Sequence, residues 1–153
     1  MDLLVKRLAP SELDKFVALI QVFEEVFEMK GFQMPGEQYL QIQLAKDDFY
    51  VFVAMLEEKV VGGLTAYTLV QYYSERPLVY IYDLAVLDRY QRRGIGRKLM
   101  DEITAYCKES GVEEVFVQAD QEDQHAIDFY QATGGIAEQV VHFYYPLFKP
   151  ANQ

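Results

Sequence analysis

The chain has 153 residues, about half of them hydrophobic, and carries 24 acidic against 14 basic side chains for a formal charge of −10. That length predicts one domain, residues 1–153, with enough chain for a core, and the composition excludes intrinsic disorder. The charge argues against nucleic acid or an anionic membrane as partner, since both are bound through Lys and Arg, and it favours cations.

Taken in order, residues 3–8 alternate loosely and predict a first strand. Ser11 is the expected N-cap of a helix, with Asp14 three residues on in a capping-box-like start. Leu13, Phe16, Val17, Ile20, Phe23 and Phe27 then recur every three or four residues and give one apolar face. Glycines 31 and 36 break the pattern, and a shorter helical piece follows over 38–45. The period then shortens. FYVFVAML (49–56), the turn EEK (57–59) and VVGGLTAYTLV (60–70) predict a hairpin. PLVYIYDLAVL (77–87) is apolar apart from Asp83 and reads as a central strand covered on both faces.

Residues 94–110 predict a helix, with Ile95, Leu99, Ile103 and Cys107 spaced by four and Gly111 closing it. EEVFVQA (113–119) reads as another buried strand, 124–132 as a helix ended by Gly134 and Gly135, and EQVVHFYYPLF (138–148) as a final strand. The order β α α β β β α β α β predicts one α/β domain with a mixed sheet. No run of 18 apolar residues suggests a membrane span, and MDLLVKRLAP lacks the layout of a signal peptide. The single cysteine, Cys107, offers no intrachain disulfide, so the expected setting is cytoplasmic. His125 and His142 have no ligand-like spacing with each other or with Cys107, so no metal is expected.

One window departs from the acidic background. DRYQRRGIGRK (88–98) holds Arg89, Arg92, Arg93, Arg97 and Lys98 with one acid, so the remainder of the chain stands at −14. Its glycines fall where the next helix begins. Free N–H groups of a first helical turn, the helix dipole and flanking guanidinium groups together suit an anion. Two phosphate loops are excluded by spacing. A P-loop needs four residues between its glycines and then Gly-Lys-Ser/Thr, whereas one residue separates Gly94 from Gly96 and Arg97 follows. A dinucleotide fingerprint starting at Gly94 would need a small residue at Leu99.

QRRGIG (91–96), between an apolar strand and a helix, resembles the Gln/Arg-x-x-Gly-x-Gly/Ala signature of the GNAT superfamily of N-acetyltransferases, and the element order is similar to that fold. DQHAIDFY (123–130) followed by Gly134 and Gly135 is similar to the family's Asn-x-x-Ala-x-x-Leu/Phe-Tyr…Gly pattern, with Asp123 in place of Asn. YIYDLAV (80–86), VQAD (117–120) and VVHF (140–143) narrow the resemblance, over about residues 77–145, to the gentamicin-modifying aminoglycoside 3-N-acetyltransferases. This chain has Gln124 and His125 where that branch carries a second aspartate and a proline.

The resemblance implies a mixed, mostly antiparallel sheet of six or seven strands with about four helices on its faces. It implies acetyl-coenzyme A as cosubstrate, with its pyrophosphate on Gln91, Arg92, Arg93, Gly94, Ile95, Gly96 and Arg97 and its pantetheine arm along Leu84, Ala85 and Val86. A backbone N–H near Val86 would serve as oxyanion donor, and Asp123 would be a further coenzyme contact.

Asp83, the one charge of its strand, is the first candidate for the base and Asp120 the second; Tyr130 would return a proton to the leaving thiolate. Asp83, Asp120, Glu122 and Asp123 would hold a polycationic aminoglycoside, helped by Glu24, Glu25 and Glu28. A homodimer is a habit of the superfamily. The rival readings are acetylation of a polyamine or protein amine, and a non-catalytic acetyl-coenzyme A binding module. A pure binder needs neither Asp83 nor Tyr130.

Overall fold

The computed structural model describes residues 2–148, and these divide after Gln118 into two compact units. The first is a five-stranded sheet in the order β1-β2-β3-β4-β5, formed by Leu3–Arg7, Phe49–Leu56, Lys59–Leu69, Leu78–Val86 and Glu114–Val117. All neighbours are antiparallel except β4 and β5. Helices α1 (Leu13–Val26) and α2 (Glu37–Leu44) cover one face, and α3 (Ile95–Glu109) covers the other.

β2 shows why the layers form. All eight of its residues are buried. Phe49, Val51, Val53 and Met55 belong to the core under α1 and α2, whereas Tyr50, Phe52, Ala54 and Leu56 belong to the core under α3. The period of two thus sends alternate apolar residues to opposite layers, as a doubly covered strand requires. β4, expected to be the doubly covered strand, is buried less completely: Tyr82 is 59 % exposed. β5 is shorter than expected and only half-buried, because it lies at the edge of the sheet.

α1 approaches the sheet at Gly63, where an added Cβ would lie 2.5 Å from the Phe52 carbonyl oxygen and 2.6 Å from a Leu19 methyl. Only a residue without a side chain permits that approach. The start of α1 differs from expectation. Ser11 is not its cap: the helix begins at Leu13 after Glu12, with no side-chain cap. The Glu12 carboxylate instead accepts the Ala9 N–H at 2.9 Å and pairs with Lys6 of β1 and with Lys15. A tertiary ion pair has displaced the local cap. The β2–β3 turn is two residues, Glu57 and Glu58, both with positive φ, as the twist of a tight hairpin demands.

In the second unit, α4 (Gln124–Ala132) is capped by Asp123, whose carboxylate accepts the Ala126 N–H at 3.0 Å. It closes at Gly134, with the Gly135 N–H donating to the Tyr130 carbonyl at 2.8 Å. The strand expected over 138–148 is not formed. Residues 134–148 are all exposed, and none pairs in a ladder. The pattern is strand-like, but a strand needs a neighbour to take its N–H and C=O groups. The sheet therefore has five strands among the described residues rather than six or seven.

Candidate active site

The basic loop leaves β4 through a short 3-10 turn, Asp88–Tyr90. The Gln91 side-chain amide donates to the Val86 carbonyl at 2.9 Å and to Asp88 at 3.2 Å, so it braces the loop against the end of β4. Arg92 and Gly94 both sit in the left-handed region, at φ 64° and 80°. Gly94 is the residue before α3, one position later than the expected helix start. Lys98 is the first residue whose N–H reaches back into the helix, to the Gly94 carbonyl at 3.0 Å. The amides of Ile95 and Gly96, at the start of the first turn, therefore have no acceptor within the helix. Ile95 is buried in the α3 core and anchors this first turn.

Arg89 pairs with Glu25 at 3.2 Å and Lys98 with Glu102 at 2.9 Å. Arg92, Arg93 and Arg97 are exposed beside the helix start, with Arg93 also lying over the Tyr90 ring. Amides and guanidinium groups so placed can hold a phosphate-like anion.

β4 supplies a second feature. Its ladder to β5 ends at Ile81 opposite Val117, while its ladder to β3 continues to Val86 opposite Gly62. Between Tyr82 and Val86, one edge of β4 has no strand beside it among the described residues. Leu84, Ala85 and Val86 lie on that open edge, which can take an extended amide chain as an added strand.

A bulge re-aims the middle of β4. Asp83 is registered with Thr65 but Ile81 with Ala66, so Tyr82 is the extra residue. Strict alternation would put Asp83 on the same face as Ile81, which packs under α3. The bulge turns it to the opposite face, shared by Ala85, Tyr80 and Tyr67. There it is half-buried, and lost hydration raises its carboxyl above the ordinary range.

Around Asp83 stands an aromatic wall. Tyr82 makes edge contacts with Tyr67 and Tyr80, each with centroids 5.9 Å apart. Tyr80 stacks on Phe116 at 4.8 Å and donates its hydroxyl to Gln118 at 3.0 Å. Burial raises the Tyr67 phenol, and the charges of Asp83 and Asp48 raise it further. The sequence reading missed Tyr67, Tyr80, Tyr82 and Asp48. The signal lay in YIYD, whose tyrosines stand just before the one acidic residue of the strand, but the bulge that brings them to Asp83 has no local mark.

In the second unit, Asp120, Glu122 and Asp123 are exposed before α4 and Tyr130 is half-buried within it, its ring against Phe129 at 5.1 Å. Asp123 uses one carboxylate oxygen as the helix cap. Glu24, Glu25 and Glu28 lie at the end of α1 and just beyond it. A concavity of about 810 Å3 sits elsewhere, lined by Lys6, Ala18, Glu25, Met55, Lys59 and Arg89 among others, and reaches neither Asp83 nor the loop glycines.

No cluster of three metal-ligating groups occurs among the described residues. Cys107 is buried on α3, and burial pushes its thiol up to about 11. No described helix is long and apolar enough to cross a membrane.

Known proteins share this fold. A solved aminoglycoside acetyltransferase from an uncultured soil metagenomic sample, crystallised with trehalose, is 57% identical; it covers 95% of this chain and 96% of its own, with a TM-score of 0.94. A sisomicin complex of the same enzyme matches at 56%. Another aminoglycoside acetyltransferase of soil metagenomic origin is 36% identical over 96% of this chain and 99% of its own, with a TM-score of 0.90. A curated relative, N-alpha-acetyltransferase 50 of Danio rerio, is 31% identical over 75 residues, a match that spans 48% of this chain and 45% of that protein. The profile of the acetyltransferase (GNAT) family matches residues 16–135, a span running from α1 through the basic loop and α4. On that match, which spans more than half of its length, the chain belongs to the GNAT acetyltransferase family.

Proposed function

We propose that this protein transfers the acetyl group of acetyl-coenzyme A to the 3-N amine of an aminoglycoside, by direct attack in a ternary complex, and so confers resistance to antibiotics of the gentamicin type. The observation that carries the reading is the layout of β4. One stretch offers an open backbone edge that runs into a basic helix start, and the adjoining stretch presents Asp83 among tyrosines. The 57% identity to an enzyme that acts on aminoglycosides supports the acceptor class.

The fit of the coenzyme rests on two features already described. The amides at the start of α3, with Arg92, Arg93 and Arg97, are matched to its pyrophosphate. Leu84, Ala85 and Val86 are matched to the amide groups of its pantetheine arm. When bound, it supplies a thioester carbonyl carbon.

Asp83 takes a proton from the acceptor ammonium, directly or through water, with Asp120 as the alternative. Like-charge repulsion within a polycationic aminoglycoside lowers its amine pKa, so a modest base suffices. The amine lone pair forms the new C–N bond, and the Val86 N–H stabilises the oxyanion. The C–S bond then breaks, and Tyr130 donates its proton to the departing sulfur. A thiol near pKa ~8.5 and a phenol near ~10 make that transfer mildly uphill at worst. The tyrosine wall offers rings on which sugar faces can stack, while Asp83, Asp120, Glu122 and Asp123 offer charge to the other amines.

The test is thiol release by the purified protein with acetyl-coenzyme A and gentamicin, kanamycin, spermidine or a peptide, with the acetylated position read by NMR. Release with gentamicin and a 3-N product is expected. No release with any aminoglycoside, although the coenzyme binds, would overturn the reading; release with spermidine or peptide alone would assign a different amine.

A further inference from the structure

β3 and β4 press together where β4 ends. Gly62 stands opposite Val86, and an added Cβ at Gly62 would lie 2.8 Å from the Ala85 carbonyl oxygen and 3.1 Å from both the Cα and a methyl of Val86. Two of those three atoms belong to the backbone, so a side chain at Gly62 would force the end of β4 to move.

The ladder shows which groups that movement would displace. The Leu87 N–H donates to the Val61 carbonyl at 2.9 Å, so Val61 and Leu87 form a hydrogen-bonded pair. Opposite residues of an antiparallel ladder alternate between bonded and non-bonded pairs. Gly63 with Ala85 is therefore the next bonded pair, whereas Gly62 with Val86 and Leu64 with Leu84 are non-bonded. The N–H and C=O groups of Val86 and Leu84 thus point away from β3, toward the open edge. The Val86 carbonyl is already taken there, because the Gln91 side-chain amide donates to it at 2.9 Å. The edge therefore offers an added chain both groups of Leu84 and, beyond them, the N–H of Val86.

Both peptide planes that flank Val86 are held. In the Val86–Leu87 peptide, the N–H is bonded to Val61 and the carbonyl to Gln91. In the Ala85–Val86 peptide, the carbonyl lies against Gly62 and the N–H is the edge donor. A planar peptide turns as one body, so a displaced Ala85 carbonyl swings the Val86 N–H with it.

We propose that Gly62 and Gln91 are positioning residues that aim the Val86 N–H at the pantetheine arm of the coenzyme. Gly62 acts by leaving room for the Ala85 carbonyl, and Gln91 by holding the Val86 carbonyl. A donor aimed in advance spares the bound state the cost of ordering it. The proposal rests on the reading that the arm pairs with the edge of β4. It gives the Gln91 amide a task on the strand, where the motif alone assigns it to the pyrophosphate.

Two fragments of the coenzyme separate the strand edge from the helix start: pantetheine, which is uncharged, and adenosine 3′,5′-bisphosphate, which has no amide arm. Each is titrated into the isotope-labelled full chain, with Kd read from the amide resonances. In the wild type, pantetheine is expected to move the resonances of Leu84 and Val86. Gly62→Ala is expected to weaken pantetheine by about two- to tenfold, the net worth of one hydrogen bond, and to leave the bisphosphate unchanged, whatever happens to Tm. Gln91→Met, whose side chain has no N–H, should weaken pantetheine by a similar factor. Gln91→Arg keeps a side-chain N–H and should restore it; an uncharged ligand is blind to the added cation. If Gly62→Ala does not fold, the Gln91 variants decide. Wild-type affinity for pantetheine in folded Gly62→Ala or in Gln91→Met would overturn the inference. So would a Gly62→Ala that weakens both fragments alike, since that is a general loss of structure. Resonances of Leu84 and Val86 that ignore pantetheine in the wild type would overturn the coenzyme reading, and the inference with it.

Discussion

The two stretches of β4 are built from different kinds of atom. At Leu84–Val86 and on into the basic loop, the groups on offer belong to the backbone: an open strand edge, then the amides of a helix start behind Gly94. At Tyr80–Asp83 they belong to side chains: one half-buried carboxylate and a wall of tyrosines. On the proposed function, backbone groups would recognise what every acetyl donor of this kind shares, whereas side chains would decide which amine is accepted. The donor stretch should therefore be sensitive to conformation and the acceptor stretch to side-chain chemistry.

Five measurements break or sharpen that contrast. The largest effect is expected for Asp83→Asn, which should lower turnover by about 10²–10⁴-fold, the range for loss of a general base, while calorimetry finds coenzyme affinity unchanged. Unaltered turnover would remove Asp83 from the chemistry. Tyr130→Phe should lower turnover by a smaller factor, roughly 10²-fold if proton return to sulfur limits the rate, with the circular dichroism spectrum retained. Full activity would return Tyr130 to packing. Gly94→Ala probes the other stretch. The new methyl meets nothing within 4 Å, so its cost is purely that of a side chain at φ 80°. At about 1–2 kcal/mol for a left-handed residue, either Tm falls with the loop kept as it is, or the free loop relaxes and coenzyme Kd weakens by up to about tenfold, in both cases with little change in aminoglycoside KM. Tyr82→Ala should do the reverse and raise acceptor KM several-fold, since an aromatic contact is worth about 0.5–1.5 kcal/mol.

The smallest effect concerns pH. Lost hydration raises the Asp83 carboxyl in the folded state, so the folded protein binds this proton more tightly than the unfolded chain does. Stability from this group is gained as pH falls through the raised pKa and is absent at neutral pH, where the half-buried charge is a cost. Asp83→Asn should therefore raise Tm slightly at pH 7, and the gain should vanish in acid. Activity should move the other way, with kcat/KM falling as pH drops through the same pKa because the proposed base becomes protonated. A variant that lost stability at pH 7 would place Asp83 among structural carboxylates.

The same contrast explains what could be read from the residues alone. The conformation of the basic loop was legible because its geometry needs particular residues at particular places: glycine where φ is positive, an apolar run before it and a helix period after it. Five strands and four helices were legible from periodicity, with ends shifted by one or two positions at most elements. The acceptor stretch was not. Asp83 could be picked out as the one charge of its strand, but the bulge at Tyr82 that turns it toward Tyr67 and Tyr80 depends on how β4 pairs with β3. The cap of α1 failed for a related reason: Ser11 has the local preference, but Lys6 on β1 holds Glu12. The stretch 138–148 has the right pattern but is not formed as a strand among the described residues. In the first two cases a long-range partner outweighed the local signal.

The buried thiol of Cys107 carries a practical consequence for all the kinetic tests. Each turnover releases a coenzyme thiol, and the usual way to count it is a disulfide dye that reacts with thiolates. With its thiol pushed up to about 11 and 2 % exposed on α3, Cys107 is both protonated and shielded at the pH of such an assay. The folded enzyme is therefore expected to stay silent to the dye, so that the colour reports product alone. A dye signal without substrate would come from unfolded chains, so the blank of the activity assay doubles as a count of damaged enzyme.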